Sequence, residues 1–348
     1  MIDFRYHLVS IVAVFLALAI GLVIGSTALR GLVVANLNKA VAHDAKANHT
    51  LYLYNRQLST RIGADDAFAR AAETRLLGGL LAGERVVLVL APGTDSSTVN
   101  GIAAALSDAG ATVTGQVVLS AQFFDTGVVT EQQLQSTVNA LKPLGVPVPK
   151  STPDPQIAGQ QAAAQIIAAA IVNKDGLTMT QQQSHQILTG FGDAGFLQVK
   201  GVNGGTALIG QATLAVVVVP GTVQPAKTAE PFNLALVSLA QDLQEAGNGA
   251  LLAGNLKGSG PRSAIDAVRS GAAGVKLTTV DDADTATGQI IVAQALRELL
   301  MPNATPTAYG VRPGRVPSPA PSPSPSASAS PSATRSPRPH PSGKKSAK

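Results

Sequence analysis

The sequence predicts an α/β protein that begins with a transmembrane helix and a helical coiled-coil stalk. A Rossmann-like parallel sheet with a weak internal repeat follows, and a disordered, Pro/Ser-rich tail ends the chain. Three observations predict this organisation. Residues 8–24 contain no charged side chain. Apolar runs at 86–90 and 215–219 each precede a turn and a helical stretch, as in parallel sheets covered on both faces. Residues 303–348 hold 11 of the 22 prolines.

The positive charge of the 348-residue chain is concentrated near its C-terminal end. The formal net charge is +5, but residues 303–348 hold seven basic side chains and no acidic one. Residues 1–302 therefore carry 19 basic and 21 acidic side chains, a net charge of −2. A nearly neutral body with scattered basic residues does not predict nucleic-acid binding. The absence of Cys excludes disulfides, thiolate metal sites and cysteine nucleophiles.

Residues 1–29 are predicted to anchor the chain in a membrane. The uncharged run Leu8–Ile24 extends to about Leu29, and about twenty apolar residues suffice for a helix to cross the hydrocarbon core. Flanking charges decide the orientation only weakly, but a short N-terminal segment before a long polar chain favours a cytoplasmic N-terminus. The alternative is a cleaved signal peptide, with Ser26 and Ala28 before the cut and export to the outer envelope. The apolar run is longer than is usual for such a peptide.

Small residues recur every four positions along this helix and share one face: Ala13, Ala17, Gly21 and Gly25. Small side chains let two helices approach closely in lipid, so this face predicts self-association. The alternative is that small residues are simply common in membrane helices. The preceding Phe4, Arg5, Tyr6 and His7 could contact a partner membrane protein or anchor the helix at the membrane surface.

Residues 30–82 are predicted to continue as a helical stalk, because no Pro occurs before Pro92. A heptad pattern places apolar or Asn side chains at core positions: Val34, Leu37, Val41, Asn48, Leu51, Leu58 and Ile62. Asn at such a position can fix the register of a dimer. Together with the small-residue face, the pattern favours a parallel homodimer. The alternative is one amphipathic helix that lies on the following domain.

Residues 83–302 are predicted to form the α/β domain, in two βα halves at about 83–142 and 206–300. The first half reads as a strand at 85–90, a helix at 97–109 ending at Gly110, and a strand at 112–119. The second reads as a strand at 215–219, a helix at 232–246 and an apolar strand around Leu251. Pro-Gly-Thr follows the first strand of each half, at 92–94 and 220–222. An Ala-rich helix at 160–172 and a Pro-rich linker at 143–155 join the halves.

No catalytic constellation is apparent in the sequence. Neither Pro-Gly-Thr turn contains a dinucleotide fingerprint or a P-loop, so no nucleotide cofactor is expected. The five histidines are scattered, and His43 and His49 point to different helix faces. With no Cys and no cluster of Met or His, a high-affinity site for a soft metal is not predicted. The sequence therefore predicts a protein that is not an enzyme and has no resident cofactor.

Three carboxylates follow a strand predicted at 275–280: Asp281, Asp282 and Asp284. Carboxylates at a strand end could bind a hard cation such as Mg²⁺ or Ca²⁺. Alternatively, Asp284 caps the helix predicted from Thr287 to about Leu300, where acidic side chains interact favourably with the helix dipole. Capping is the simpler reading.

The tail, residues 303–348, is predicted to be extended and partly polyproline II, because Pro, Ser and Ala cannot build a core. It could serve as a spacer that carries O-linked sugar, or as a basic contact to anionic envelope polymers. The alternative is a solvated tail without a function of its own.

Several segments together resemble the actinobacterial copper transport outer-membrane protein B (MctB) family: the opening stretch 2–25, Arg85–Gly93 with 110–115, 279–285, and Tyr309-Gly310. The resemblance covers roughly residues 1–310. It implies copper homeostasis, by efflux or channel formation in the cell envelope. It also implies, for some members, a role in cell-division and wall-integrity complexes through a partner membrane protein. A copper ion as ligand rests on the resemblance alone.

Two functions therefore stand. The chain is a membrane-anchored copper-homeostasis component, as the family implies, or an envelope scaffold whose dimeric stalk presents the α/β domain to a partner or the wall.

Overall fold

The computed structural model describes residues 4–142, 156–174, 179–201, 212–312 and 315–319, with backbone alone for residues 4, 5 and 26–36. The chain divides into two compact units, residues 1–72 and 73–348. The linker predicted at 143–155 and most of the predicted tail lie outside the described residues.

The first unit consists of most of a single helix, α1, which runs from Phe4 to Leu77 without interruption. The sequence predicted this continuity across the anchor and the stalk, since no Pro occurs in the segment. The helix ends before two consecutive glycines, and Gly79 adopts a left-handed backbone with φ +78°. Glycine adopts that conformation without the steric cost of a Cβ, which is why helices commonly stop there.

The second unit is built on a seven-stranded sheet, as the sequence predicted in outline. The strands are β1 Arg85–Leu90, β2 Thr112–Leu119, β3 Leu197–Lys200, β4 Leu214–Val218, β5 Gly249–Ala253, β6 Thr278–Val280 and β7 Ala308–Tyr309. Their order in the sheet is β3-β2-β1-β4-β5-β6-β7. β3 is antiparallel to β2, and every other neighbouring pair is parallel. The order of the first six strands is that of the Rossmann fold.

Helices cover both faces of this sheet. They are α2 Ser96–Asp108, α3 Val128–Leu141, α4 Ala158–Ile171, α5 Gln181–Asp193, α6 Ala229–Ala246, α7 Ala264–Arg269 and α8 Ala286–Leu299, with a 3₁₀ turn at Ala121–Phe124. Val87 and Val89 of β1 belong to one apolar cluster with buried residues of α3 to α7. On the sheet's other face, α2 packs against α8. The central strands β4 and β5 are buried along their whole length, which explains their unbroken apolar sequences.

The two halves predicted from the Pro-Gly-Thr turns begin on adjacent strands. β1-α2-β2 and β4-α6-β5 are both βαβ units, and β1 pairs directly with β4. As predicted, Gly110 follows α2 with a left-handed backbone, φ +84°. That the two halves form an internal repeat stays a prediction.

Two sequence boundaries are corrected by the sheet. The strand predicted at 275–280 pairs only from Thr278 to Val280. The tail predicted from residue 303 begins too early, because β7 pairs with β6 through Thr279–Ala308 and Val280–Tyr309. The Tyr309 side chain is 1% exposed, so this short strand adds an aromatic residue to the core. Because the surrounding segment is rich in Pro and Ser, its composition did not indicate a buried strand.

Candidate functional site

The described residues contain one helix that is long and apolar enough to cross a membrane, Tyr6–Gly25, with a mean hydropathy of 2.9. No part of this segment is buried, so its apolar surface is available to lipid. A signal sequence near an N-terminus has the same properties. Residues Ala13 and Ala17 are exposed, and nothing approaches within 4 Å of the Cβ position of Gly21 or Gly25. The predicted small-residue face is therefore open.

The predicted juxtamembrane residues begin the same helix. Tyr6 is 77% exposed, and His7 is also exposed. Phe4 and Arg5 belong to the helical backbone, but their side chains lie outside the described part. Tyr6 and His7 thus lie on the surface at the start of the apolar segment, where they can contact either a lipid headgroup or a partner.

The predicted stalk residues are exposed along α1. The exposed fractions are Leu37 60%, Val41 58%, Leu51 57%, Leu58 37% and Ile62 61%. Asn48 is exposed as well, and the side chain of Val34 lies outside the described part. Large apolar side chains that lie in water along one helix are typical of a surface that a partner covers. Self-pairing through this face stays a prediction.

The two Pro-Gly-Thr turns meet at the carboxyl ends of β1 and β4, the place where Rossmann-like sheets bind their ligands. There the amide N of Gly221 donates a hydrogen bond of 2.9 Å to the carbonyl of Gly93. Asp95 precedes α2 but makes no capping bond, because its Oδ2 accepts a 2.9 Å bond from Nδ2 of Asn255 beyond β5. The same Oδ2 lies 2.5 Å from where a Cβ on Gly221 would be. Hydrogen bonds thus join the two turns to each other and to the loop after β5.

The carboxylate of Asp281 is fully buried and already paired. The Arg269 guanidinium, 3% exposed, forms an ion pair with it through Nη1. The amide N of Val311 donates a 3.1 Å hydrogen bond to Asp281 Oδ1. Arg269 also donates to Thr279 Oγ1 at 2.8 Å and to the carbonyl of Tyr309 at 2.6 Å. The arginine therefore links α7 to β6 and β7.

The other two predicted acidic residues lie in different environments. Asp282 is 3% exposed, and its Oδ1 has no hydrogen-bond partner. Burial, with the nearby charge of Asp281, raises the pKa of Asp282 to about 6. Asp284 is exposed. Within the described ranges, no group of three or more His, Asp or Glu side chains is arranged to hold a metal ion. A cation site at these aspartates stays a prediction.

The N-cap of α8 lies one residue after the position predicted at Asp284. α8 is capped by Thr285, whose Oγ1 accepts a 3.0 Å hydrogen bond from the amide N of Gly288. The same hydroxyl donates to the carbonyl of Asp282 at 2.9 Å. Thr and Asp are both favourable caps, so sequence preference alone could not choose between neighbouring positions.

Sequence reasoning missed the partners of Asp281. Arg269 ends a six-residue helix that has no strong sequence signal, and Arg312 lies inside the segment assigned to the tail. Nε of Arg312 lies 3.9 Å from Asp281 Oδ2, and its Nη2 donates a 2.6 Å hydrogen bond to the carbonyl of Leu256. The pair Tyr309-Gly310, an aromatic residue and a glycine within a Pro/Ser-rich segment, is the signal that could have extended the domain.

Comparison with known proteins identifies one family. The family model described as "Copper transport outer membrane protein, MctB" matches residues 1–318. A protein of Mycobacterium tuberculosis named copper transporter MctB is 29% identical over 305 residues, which cover 86% of this chain and 93% of that protein. The protein of the same name from Mycobacterium leprae is 29% identical over 323 residues, 90% of this chain and 98% of that protein. The matched region includes the apolar helix, the whole sheet and β7.

Proposed function

Since the chain belongs to the family of the copper transport outer membrane protein MctB, we propose that it is a membrane-anchored envelope protein that acts in copper transport without catalysing a reaction. The observation that carries this proposal is the match over residues 1–318, which includes both the apolar helix and the α/β domain. The relatives from M. tuberculosis and M. leprae bear the name copper transporter.

The proposed arrangement has one membrane helix, a cytoplasmic N-terminus and the α/β domain outside the membrane. Tyr6–Gly25 is exposed and apolar over 20 residues, as a retained anchor requires. Single Cys substitutions test the orientation, because the chain has no native Cys. A thiol reagent that does not cross membranes should label Ser270→Cys in intact cells and should not label Asp3→Cys. The reverse labelling pattern would refute the orientation, and a mature chain that begins near Leu29 would refute the anchor.

One helix per chain cannot enclose a path for an ion, so copper transport by this chain requires assembly of several copies or a partner. The face with Ala13, Ala17, Gly21 and Gly25 supports close pairing within the membrane. The exposed apolar residues of α1 support pairing beyond it. We therefore propose a parallel homodimer as the basic unit.

Disulfide cross-linking tests the homodimer with a matched control. Leu51 and Leu53 are both exposed apolar residues of α1, but they lie on different sides of the helix, and only Leu51 occupies a predicted core position. Under mild oxidation, Leu51→Cys should give a cross-linked dimer and Leu53→Cys much less. Equal or absent cross-linking in both variants would contradict the parallel pair.

The second candidate function is an envelope scaffold. One observation favours it: the long exposed apolar face of α1, which a partner could cover. Growth of a deletion strain separates the two functions. Copper transport predicts sensitivity to added copper that the wild-type chain reverses. Normal copper tolerance together with altered envelope integrity would favour the scaffold.

A further inference from the structure

Two arginines, Arg269 and Arg312, approach one carboxylate at the carboxyl ends of β6 and β7, and Arg315 lies near enough to Arg269 to interact with its charge. Arg269 comes from the last turn of α7, while Arg312 and Arg315 follow β7. Burial lowers the pKa of Arg269, the bond to Asp281 opposes that effect, and the positive charges of Arg315 and Arg312 lower the pKa further. Arg312 and Arg315 are thus close enough to Arg269 for their charges to act on its guanidinium group.

The Asp281 carboxylate does not accept hydrogen bonds from all three arginines. Asp281 accepts from Arg269 and from the amide N of Val311, whereas Nε of Arg312 remains 3.9 Å away. Nε of Arg312 and Nε of Arg315 are both enclosed, yet neither has a hydrogen-bond acceptor. Enclosed charged donors without an acceptor are costly and therefore call for an explanation, such as an unseen anion. The other acidic groups nearby are the buried Asp282 and the exposed Asp284, which act on each other.

The position of this cluster is one where α/β sheets bind ligands. The carbonyl of Leu256, in the loop after β5, accepts from Arg312 Nη2 at 2.6 Å, and Gly260 of the same loop has its Cβ position 3.7 Å from that nitrogen. Asp281 follows β6, and Arg312 follows β7. The cluster therefore lies at the strand ends, on the side where ligands of such folds are held.

The backbone fixes Arg312 and Arg315 beside the ion pair. The amide N of Gly310 donates to the carbonyl of Val316 at 3.2 Å, and the amide N of Arg315 donates to the carbonyl of Arg312 at 3.2 Å. Gly310 has φ +135°, and a Cβ there would overlap the Asp281 carboxylate. This loop can pass so close to Asp281 only because residue 310 is glycine. Arg312 is 31% exposed, so the cluster is reachable from solvent.

We propose that Arg312 and Arg315, backed by Arg269, form a binding site for a phosphate group. A planar guanidinium presents paired N–H donors that match two phosphate oxygens, and two such groups complement a dianion. The phosphate can be free or can be carried as a monoester on a larger envelope molecule. This site is independent of the proposed copper transport, because it uses positive side chains that would repel a metal cation.

Phosphate titration of the purified full-length chain in a non-ionic detergent tests the site. Potassium phosphate and potassium chloride are compared at equal ionic strength, with binding followed by broadening of the ³¹P resonance and by the thermal unfolding temperature. Saturable binding with a rise in unfolding temperature is expected for phosphate and not for chloride. Glycerol 3-phosphate forms a second arm: tighter binding than free phosphate indicates an ester as the natural ligand, and equal binding indicates free phosphate.

Charge-matched variants separate this site from general electrostatic attraction. Arg312→Gln with Arg315→Gln should weaken phosphate binding about tenfold or more. Arg61→Gln with Arg75→Gln removes the same charge from α1 and should leave binding unchanged. Because Arg312 also holds the loop at Leu256, Arg315→Gln alone is the variant that keeps that contact, and it should still weaken binding. Absence of saturable binding, or equal binding by all variants, would overturn the proposal.

Discussion

At the residue scale, the Asp281 carboxylate joins three separate segments of the chain. It receives Arg269 from α7 and the amide of Val311 after β7, and it follows β6 itself. Replacing a buried ion pair by apolar groups can be neutral, but removing one partner leaves a buried charge alone. The main role of the Arg269–Asp281 pair is therefore to fix the relative positions of these three segments. Its net contribution to stability is secondary.

Asp281→Ala should destabilise the α/β domain by about 3–5 kcal/mol, because Arg269 would lose its buried partner. Asp193→Ala, an exposed carboxylate at the end of α5, is the control and should change stability by less than about 0.5 kcal/mol. Urea unfolding followed by circular dichroism measures both. Equal stability of the two variants would show that the Arg269–Asp281 pair does not hold the fold.

The pKa of Asp282 predicts a specific pH dependence. Its pKa rises from 3.8 in the unfolded chain to about 6 in the fold, chiefly through burial. The folded chain therefore holds this proton more tightly, so the associated stability is complete below about pH 4 and is lost as pH rises through 6. Wild type should therefore lose on the order of 2–3 kcal/mol of unfolding free energy through this group between pH 4 and pH 7. Asp282→Asn should not show this loss.

The measurement is the unfolding free energy of wild type and Asp282→Asn at both pH values. Comparing the two chains cancels the contributions of the other titratable groups to the pH dependence. One of these groups is Asp242, whose pKa is raised to about 7 by burial. If the difference between the chains is the same at pH 4 and pH 7, the Asp282 carboxyl does not carry the effect.

At the element scale, apolar runs predicted the strands that are buried on both faces. β4 and β5 are buried along their whole length, and β1 is buried after its exposed first residue, Arg85, so their sequences are apolar runs. β3 and β7 lie at the sheet's edges and contain four and two residues, too short for a periodic signal. α7, with six residues, was missed for the same reason. The arginines around Asp281 could not be predicted, since long-range packing alone brings them together.

The cap of α8 offers a direct comparison between sequence and structure. Thr285→Ala should destabilise the domain by about 1 kcal/mol, because the amide of Gly288 loses its acceptor. Asp284→Ala, at the position that the sequence suggested, should destabilise the domain less, because it leaves the Thr285 cap in place. Thermal unfolding of the two variants ranks them, and a larger loss for Asp284→Ala would restore the sequence-based assignment.

At the scale of the whole molecule, the chain combines a long N-terminal helix with an α/β domain that extends past the predicted tail boundary. The apolar run at 8–24 correctly predicted a helix long and apolar enough to cross a membrane, whereas the disorder of the Pro/Ser-rich region stays a prediction. Composition could not show that Tyr309 completes the sheet, because a single buried aromatic residue hardly changes the composition of 46 residues.

Truncation tests the corrected boundary. A chain that ends at residue 319 keeps β7, Gly310 and Arg312, so its unfolding temperature should equal that of the full chain. A chain that ends at residue 302 loses the buried Tyr309 and the Val311 amide bound to Asp281, and it should unfold at a clearly lower temperature. Equal stability of the two truncated chains would show that β7 does not belong to the stable α/β domain.

The central claim, copper transport across the cell envelope, is tested most directly by the copper content of cells. Total cell-associated copper is measured by mass spectrometry in wild type, in a deletion strain, and in that strain carrying the full chain or a chain without residues 1–29. The account predicts that the deletion changes copper content, that the full chain restores it, and that the chain without its anchor does not. Identical copper content in all four strains would contradict the account.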